Sequence, residues 1–172
     1  TTLFLQDGGP QEAFAYTRDL RDKRIAIAGS GEIFFGQYGF YGVDRSNHVQ
    51  YIGQEGDNGT YRLITNCREF INTINEGDYD YLITSEYTQD APEADYWFPV
   101  RAWVDGDPNA ELVVSEDDIT PQPDYVYKIN GKLDPDRCAK LDQAAIRQVR
   151  TDALQAIKDR EAEAAAAEAA AE

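Results

Sequence analysis

Apolar and polar positions along the chain switch between a helical and an extended pattern. The stretch from 11 to 22 places Phe14 and Leu20 among charged residues, which predicts an amphipathic helix. The apolar run at 24–29 contains β-branched residues and predicts a buried strand. Residues 30–42 are rich in glycine and aromatic residues, so we expect a short helix that leads into a loop there.

The middle of the chain has the same alternation, and its helix is the best defined. Residues 48–53 predict a second strand, and 55–59 have the composition of a turn. Asn66 is typical of a helix N-cap and Gly77 of a helix end. The apolar stripe of the helix between them consists of Phe70, Ile71 and Ile74. Residues 79–84 then predict a strand.

The second half of the chain continues with a helix, two strands and a longer helix. Residues 93–104 place aromatic and aliphatic side chains at helical spacing, and 112–114 and 125–129 predict strands. From 139 to 172 the chain has neither glycine nor proline and is rich in alanine, which favours one long helix.

These elements together predict the fold class. Strands separated by helices favour a largely parallel sheet with helices on both faces. The final two strands are joined by a short loop, so we expect them to be antiparallel at one edge of the sheet. The predicted fold is a Rossmann-like α/β domain at 1–138, followed by a charged, alanine-rich C-terminal helix at 139–172.

Composition restricts the classes of partner. The chain has 172 residues, 42 % of them hydrophobic, which fits either one globular domain with a sizeable core or one domain with an appendage. Its net charge is −16, so charge disfavours binding of the chain to nucleic acid or to anionic lipid. No apolar run approaches the roughly 18 residues that span a bilayer. The chain contains no methionine, even at position 1, so we expect it to be a fragment of a longer protein.

The two cysteines, Cys67 and Cys138, cannot form a metal site by themselves. In an exported protein they could pair and close a loop of about 70 residues, which stabilises a fold by roughly 4 kcal/mol. The alternative is that they are two unrelated buried thiols. We expect the disulfide, and we expect no metal.

A loop with five aromatic residues and three glycines between 34 and 42 is the candidate binding surface. One interpretation is a surface that stacks on a sugar or contacts a partner. The other is that the glycines allow a bend while the aromatic side chains fill the edge of the core, and we favour this second interpretation. With Asp44, which follows the loop, the candidate surface comprises Phe34, Phe35, Gln37, Tyr38, Phe40, Tyr41 and Asp44.

The first strand ends in a Gly-x-Gly sequence, at Gly29, Ser30 and Gly31, which invites comparison with phosphate-binding turns. A dinucleotide fingerprint needs Gly or Ala at position 34, where this chain has Phe34. Glu32 would also place negative charge beside the phosphate. We therefore interpret the segment mainly as a tight turn and keep nucleotide binding as the alternative.

Other candidate chemistry is weak. His48 is the only histidine, and one histidine between a turn and a strand does not identify a Ser-His-Asp or Cys-His relay. Paired aspartates recur, as at 105/107 and 134/136, but the pattern of a calcium-binding EF-hand loop is incomplete. The segment 105–109 is a turn first and a weak calcium candidate second. Residues 58–60 form a glycosylation sequon, which has meaning only in a glycosylating pathway.

The order of these segments resembles the soluble domain that follows the transmembrane helices in many polytopic bacterial glycosyltransferases and related proteins that use polyprenyl-phosphate sugars. The resemblance covers residues 20–138. The pattern begins with a strand, an aromatic-glycine loop that contains a Gly-x-Asp segment, and a second strand. A Cys-bearing helix and an Asp-Tyr-hydrophobic strand follow. After a Trp-bearing helix and two further strands, the pattern ends in a closing motif. The matching segments are 24–29, 42–44, 48–52, 67–74, 80–83, 112–114, 126–129 and 131–138.

The resemblance implies a domain on the outer face of the membrane, which agrees with a Cys67–Cys138 bridge. The catalytic carboxylate of the family lies in a loop between early membrane helices, and no position here matches it. The chain is therefore expected to be inactive alone, to use no cofactor, and to support the membrane part of its parent or bind an acceptor. The implied partners are that membrane part and a glycan or lipid-linked sugar. The helix after Cys138 departs from the family pattern.

Two other hypotheses compete with this one. The first is a small soluble enzyme or nucleotide-binding protein that uses Gly29 to Glu32. The second is an adaptor whose helix at 139–172 docks on a partner.

Overall fold

The computed structural model of the chain describes residues 11–29, 36–56, 59, 61–62, 64–85, 100–115, 124–141, 155, 159, 162 and 166. The chain divides into two units, Thr1–Lys140 and Leu141–Glu172. In the second unit Gln155, Asp159, Ala162 and Ala166 are helical. Most of the predicted long C-terminal helix lies outside the described residues, and the predicted division into 1–138 and 139–172 stays a prediction.

The first unit contains seven described strands. A five-stranded sheet comprises β1 (Arg24–Gly29), β2 (His48–Tyr51), β5 (Tyr81–Ser85), β6 (Ala110–Ser115) and β7 (Asp124–Ile129). A separate antiparallel pair comprises β3 (Gln54–Glu55) and β4 (Tyr61–Arg62). The sequence predicted each strand of the larger sheet but only a turn between β3 and β4.

The described part of the first unit also contains α-helices and 3₁₀ helices. The α-helices are α1 (Gln11–Thr17), α2 (Cys67–Gly77) and α3 (Val100–Val104). The first 3₁₀ helix spans Gly36–Tyr41 and the second spans Pro135–Lys140. The helix predicted for 11–22 ends at Thr17. Of the helix predicted for 93–104, residues 93–99 lie outside the described residues.

The sheet has the strand order β2-β1-β5-β7-β6. Strand β1 is parallel to both β2 and β5, whereas β7 is antiparallel to β5 and to β6. The final two strands therefore pair antiparallel at one edge, as predicted. The strand that runs opposite to the other four is β7, which lies one position inside the edge of the sheet. The chain crosses from β5 to the edge strand β6 and then returns to form β7 between them.

Side chains alternate between the two faces of the sheet. One face presents Ile25, Ile27, Tyr81 and Ile83, which form a buried cluster with Ala13 of α1. Positions between these in the strands, such as Leu82, which pairs with Ala26 and Tyr127, point to the opposite face. Buried side chains of α2 and α3 provide apolar surface there, and the rings of Phe70 and Trp103 lie 5.5 Å apart.

Helix α2 follows its predicted design closely. The Asn66 side chain accepts a hydrogen bond from the Glu69 N–H at 3.0 Å, and the predicted apolar stripe is buried. The helix ends at Gly77, but the residue in the left-handed conformation is Asp78, with φ of 48°. Gly77 is needed for another reason: a Cβ there would overlap the ring of Tyr79.

Candidate functional site

Two loops at one end of the sheet interlock around Asn47. The first comprises residues 18–24, from the end of α1 to the first residue of β1. The second comprises residues 38–48, from within the first 3₁₀ helix to the first residue of β2; we call them the paired loops. The buried Asn47 amide donates hydrogen bonds to the carbonyls of Leu20 and Phe40, both at 3.2 Å. Its carbonyl oxygen accepts the Lys23 N–H at 3.0 Å. One side chain therefore fixes both loops.

The aromatic loop divides between the core and the surface. Phe40 is fully buried, and its ring lies 4.7 Å from that of Phe14. Tyr38 is 76 % exposed and lies 6.1 Å from the half-buried Tyr41, measured between ring centroids. A Cβ at Gly39 would overlap the ring of Phe14, so this glycine allows the close approach of α1. The interpretation that aromatic side chains fill the core edge holds for Phe40, whereas Tyr38 presents its ring to solvent.

The remaining predicted members of this surface differ in position. Gln37 is partly exposed, and Phe34 and Phe35 lie outside the described residues. Asp44 is exposed and turned back onto the protein: its carboxylate accepts the Ser46 N–H at 3.1 Å and pairs with Arg21 Nε at 2.7 Å. Desolvation raises the pKa of Asp44, but the hydrogen bonds from Ser46 and the charge of Arg21 outweigh it, so the pKa lies below its usual value.

The turn that holds Asp44 has left-handed backbone at two residues. Gly42 has φ of 78° and Arg45 has φ of 59°. A Cβ at Gly42 would lie 2.9 Å from the Asn47 amide nitrogen, so a larger residue would displace the hub of the paired loops. The Val43 N–H donates to the Arg18 carbonyl at 3.1 Å and ties the turn to the other loop. As a result Val43, which is 60 % exposed, is held against the backbone of Arg18.

The alternative nucleotide site begins at the carboxyl end of β1. Gly29 has φ of 121°, and Ser30 and Gly31 lie outside the described residues. The Tyr51 hydroxyl donates to the Gly29 carbonyl at 2.8 Å. Burial raises the pKa of Tyr51 to about 12, so this hydroxyl stays a donor at neutral pH. The contact ties β2 to the end of β1.

The segment that follows β7 packs against the rest of the first unit. Residues 130–138, which we call the clasp, lie against α2 and against the turn after α3. The Asp107 carboxylate is almost fully buried and accepts the N–H groups of Asn109 and Asp134, each at 2.9 Å. Arg137 Nη1 lies 3.3 Å from the same carboxylate. In the turn considered as a weak calcium candidate, the Asp107 carboxylate is therefore occupied by backbone N–H groups and by Arg137 of the protein itself.

Helix α2 holds the other side of the clasp. The Asn75 amide and the Leu133 backbone exchange two hydrogen bonds, each of 2.8 Å. The Lys132 ammonium pairs with Asp78 and also donates to the Asn75 carbonyl. The hydrogen bond and the charge of Lys132 lower the pKa of Asp78.

The disulfide closes the clasp at its far end. Cys67, the first residue of α2, is bonded to Cys138; their Cα atoms are 5.8 Å apart and their sequence separation is 71. The predicted pairing is therefore confirmed, and the interpretation as two unrelated thiols is wrong. Arg68 and Asp136 form an exposed ion pair of 3.0 Å beside the bridge.

A small groove remains between the end of α2 and the start of the clasp. Its volume is about 180 Å³, and its walls include Ile74, Tyr79, Ile129 and Lys132. The Tyr79 hydroxyl donates to the Gln50 side chain at 2.8 Å, and Arg24 lies over the Tyr79 ring. Among the groove residues, Lys132 is paired with Asp78, and Tyr79 is held by neighbours outside the groove.

Sequence reasoning missed the residues that organise these contacts. Asn47 and Asp107 lie in loops, and Arg137 lies in the second 3₁₀ helix. Most of their side-chain partners are more than 20 residues away in the sequence. The exceptions are Phe40 for Asn47 and Asn109 for Asp107. The available signal was the density of Asx-type residues in both turns. His48 is an exposed residue at the start of β2, as expected for a surface histidine.

Neither known proteins nor a metal site among the described residues adds to this description of the candidate site. Comparison with protein-family models, with curated proteins and with solved structures finds no match to this chain. Within the described ranges, no group of three His, Cys, Asp or Glu side chains is placed to hold a metal ion. In the same ranges, no helix has both the length and the apolar character needed to cross a membrane.

Proposed function

We propose that the chain is an extracytoplasmic, non-catalytic domain of a membrane glycosyltransferase-like protein, where it supports the membrane part or binds an acceptor. The observation that carries this proposal is the Cys67–Cys138 disulfide. Such bonds persist in oxidising compartments and are rare in the cytosol. The order of elements, from the first strand to the closing clasp, agrees with the resemblance to those domains and with a Rossmann-like arrangement.

The use of the carboxylates supports a non-catalytic role. Asp107 is buried and fully engaged by backbone N–H groups and Arg137. Asp105 accepts from the Tyr127 hydroxyl and from Arg101, and Asp134 accepts the Asp136 N–H at 2.9 Å. A carboxylate that acts as general acid or base must instead reach a substrate proton. These aspartates serve the fold.

Membrane topology of the natural full-length protein tests the proposal. A reporter that is active only outside the cytoplasm, such as alkaline phosphatase, is fused after Lys140, and a second fusion uses a reporter that fluoresces only in the cytoplasm. The proposal predicts phosphatase activity without fluorescence, together with membrane helices encoded upstream. Fluorescence without phosphatase activity, or a gene without such helices, would contradict it.

Nucleotide binding is the second candidate, and the position of Gly29 favours it. Strand β1 lies between β2 and β5 in the sheet. Ligands of parallel α/β sheets bind at the carboxyl ends of the strands, at the point where the connections of two neighbouring strands go to opposite sides of the sheet. Thermal unfolding with millimolar nucleotides and dinucleotides tests this function, because a ligand of the native state raises its stability. A rise that Tyr51→Phe leaves intact but Gly29→Val removes would support it, and no rise with any nucleotide would exclude it.

A further inference from the structure

The paired loops differ in charge from the rest of the protein. Residues 18–24 contain four basic and two acidic side chains, and residues 38–48 contain one of each. The two segments therefore have a net charge of +2, whereas the whole chain has −16, which leaves −18 on the other residues. Asp80, from the turn before β5, offsets Lys23 at 3.4 Å, so the face remains close to neutral or slightly positive.

The same loops present the most exposed large apolar side chains of the described residues. Tyr38 is 76 % exposed and Val43 is 60 % exposed, compared with 40 % for Leu112 and 36 % for Tyr16. Tyrosine is enriched at membrane–water interfaces, where its ring lies at the depth of the headgroups. The backbone around both residues is fixed by Asn47 and by the Val43–Arg18 hydrogen bond.

Two arginines in this face are available to a ligand. Arg21 is engaged by Asp44 at 2.7 Å, whereas Arg18 and Arg45 are exposed and form no ion pair with the described part of the chain. Arg45 follows Val43 by two residues, and Arg18 contacts the same turn through its carbonyl. Loops that combine exposed guanidinium groups with an exposed tyrosine and valine match a surface of phosphate headgroups over acyl chains.

We propose that the paired loops are the face that lies against an anionic lipid bilayer. This inference rests on the proposed membrane attachment, because a tether holds the domain at the bilayer surface and raises its effective concentration there. The charge of −18 on the other residues disfavours their approach to anionic lipid. Because salt screens charges over roughly 8 Å, the negative charge elsewhere on the protein does not prevent the near-neutral face from touching the lipid. Net charge thus orients the domain, although it disfavours binding of the chain as a whole.

Sedimentation of the full chain with vesicles tests the proposal. The vesicles contain phosphatidylcholine with or without phosphatidylglycerol, at low and at high salt. We expect binding to the phosphatidylglycerol vesicles that weakens with salt. Arg18→Gln and Arg45→Gln are each expected to reduce partitioning about fivefold. The double variant Tyr38→Ser/Val43→Ser should reduce partitioning to vesicles both with and without phosphatidylglycerol.

Matched changes outside the paired loops provide the controls. Lys128→Gln removes an exposed positive charge from β7, and Leu112→Ser removes an exposed apolar side chain from β6. Both should leave partitioning unchanged, and thermal unfolding should show that every variant is folded. Absence of sedimentation with phosphatidylglycerol vesicles, or equal losses in the controls, would overturn the lipid face. The topology test above decides the proposed function independently.

Discussion

Asp107 and Arg137 form the most buried ion pair among the described residues. The Asp107 side chain is 1 % exposed, that of Arg137 is 21 % exposed, and the two charged groups lie 3.3 Å apart. Arg137 also donates to the Asp105 carbonyl at 2.7 Å. The pair therefore joins the turn after α3 to the clasp, immediately beside Cys138.

Substituting Asp107 should destabilise the protein more than substituting any exposed aspartate of the clasp. Asp107→Asn leaves Arg137 without its counter-charge and removes one of the acceptors for two backbone N–H groups, so we expect a loss of about 3 kcal/mol in the free energy of unfolding. Asp136→Asn, which breaks the exposed pair with Arg68, should cost less than about 1 kcal/mol. Urea unfolding of both variants measures the difference, and equal losses would refute this role for Asp107.

Removing the disulfide should lower stability but leave the clasp in place. The chain-entropy relation gives a loss of about 4 kcal/mol for Cys67→Ser/Cys138→Ser, since the bond spans 71 residues. The Asn75–Leu133 hydrogen bonds and the Asp107–Arg137 pair do not depend on it. Hydrogen exchange of 130–138 in the folded variant should stay protected. A reductant should destabilise the wild type but not the double variant; an equal response of both would refute the role of the bond.

The burial of Tyr51 should make stability fall at high pH, because burial raises the pKa of its hydroxyl. The folded-state pKa of Tyr51 is about 12, above its ordinary value of 10.0, so the folded protein retains a proton that the unfolded chain releases. This stabilisation is complete below about pH 10 and is lost as the pH rises towards 12. Tyr51→Phe lacks the titrating group, so the stability advantage of the wild type should shrink across this range. Chemical unfolding at several pH values measures it, and a constant difference would contradict the prediction.

Asn47 should be the critical side chain of the paired loops. Asn47→Ala removes three hydrogen bonds in a buried position, and we expect a loss of about 3 kcal/mol. The cap variant Asn66→Ala, which loses one hydrogen bond at a helix end, should cost about 1 kcal/mol. Exchange of the amides at 42–47 should accelerate in the first variant only. Similar losses in stability and unchanged exchange would show that Asn47 is not the hub.

Regular elements were predictable where local pattern and burial agree. The run at 24–29 became β1 with the predicted bounds, and the stripe on α2 is buried as its spacing indicated. Strands β3 and β4 were missed because each has two residues, too few to show alternation, and they depend on pairing with each other. Helix α1 ends earlier than its pattern indicated, because residues 18–23 bond instead to the loop at 42–47.

The candidate site was predictable only in part, since its geometry depends on distant pairs. The glycine-aromatic composition located the loop but could not separate the buried Phe40 from the exposed Tyr38. The turn at 105–109 has the acidic composition of a cation site, yet its charge is matched by Arg137, about 30 residues later. The two cysteines could be paired in advance because no other cysteine competes with them.

The redox state of Cys67 and Cys138 in the natural protein inside its own cells tests the central proposal most directly. Free thiols are first blocked in intact cells with one permeant alkylating reagent, and the denatured protein is then reduced and treated with an isotopically heavier form. Mass spectrometry of the two cysteine peptides reads the labels. An extracytoplasmic domain predicts the heavy label on both cysteines. The light label on both would show reduced thiols in the living cell and would contradict the proposed location.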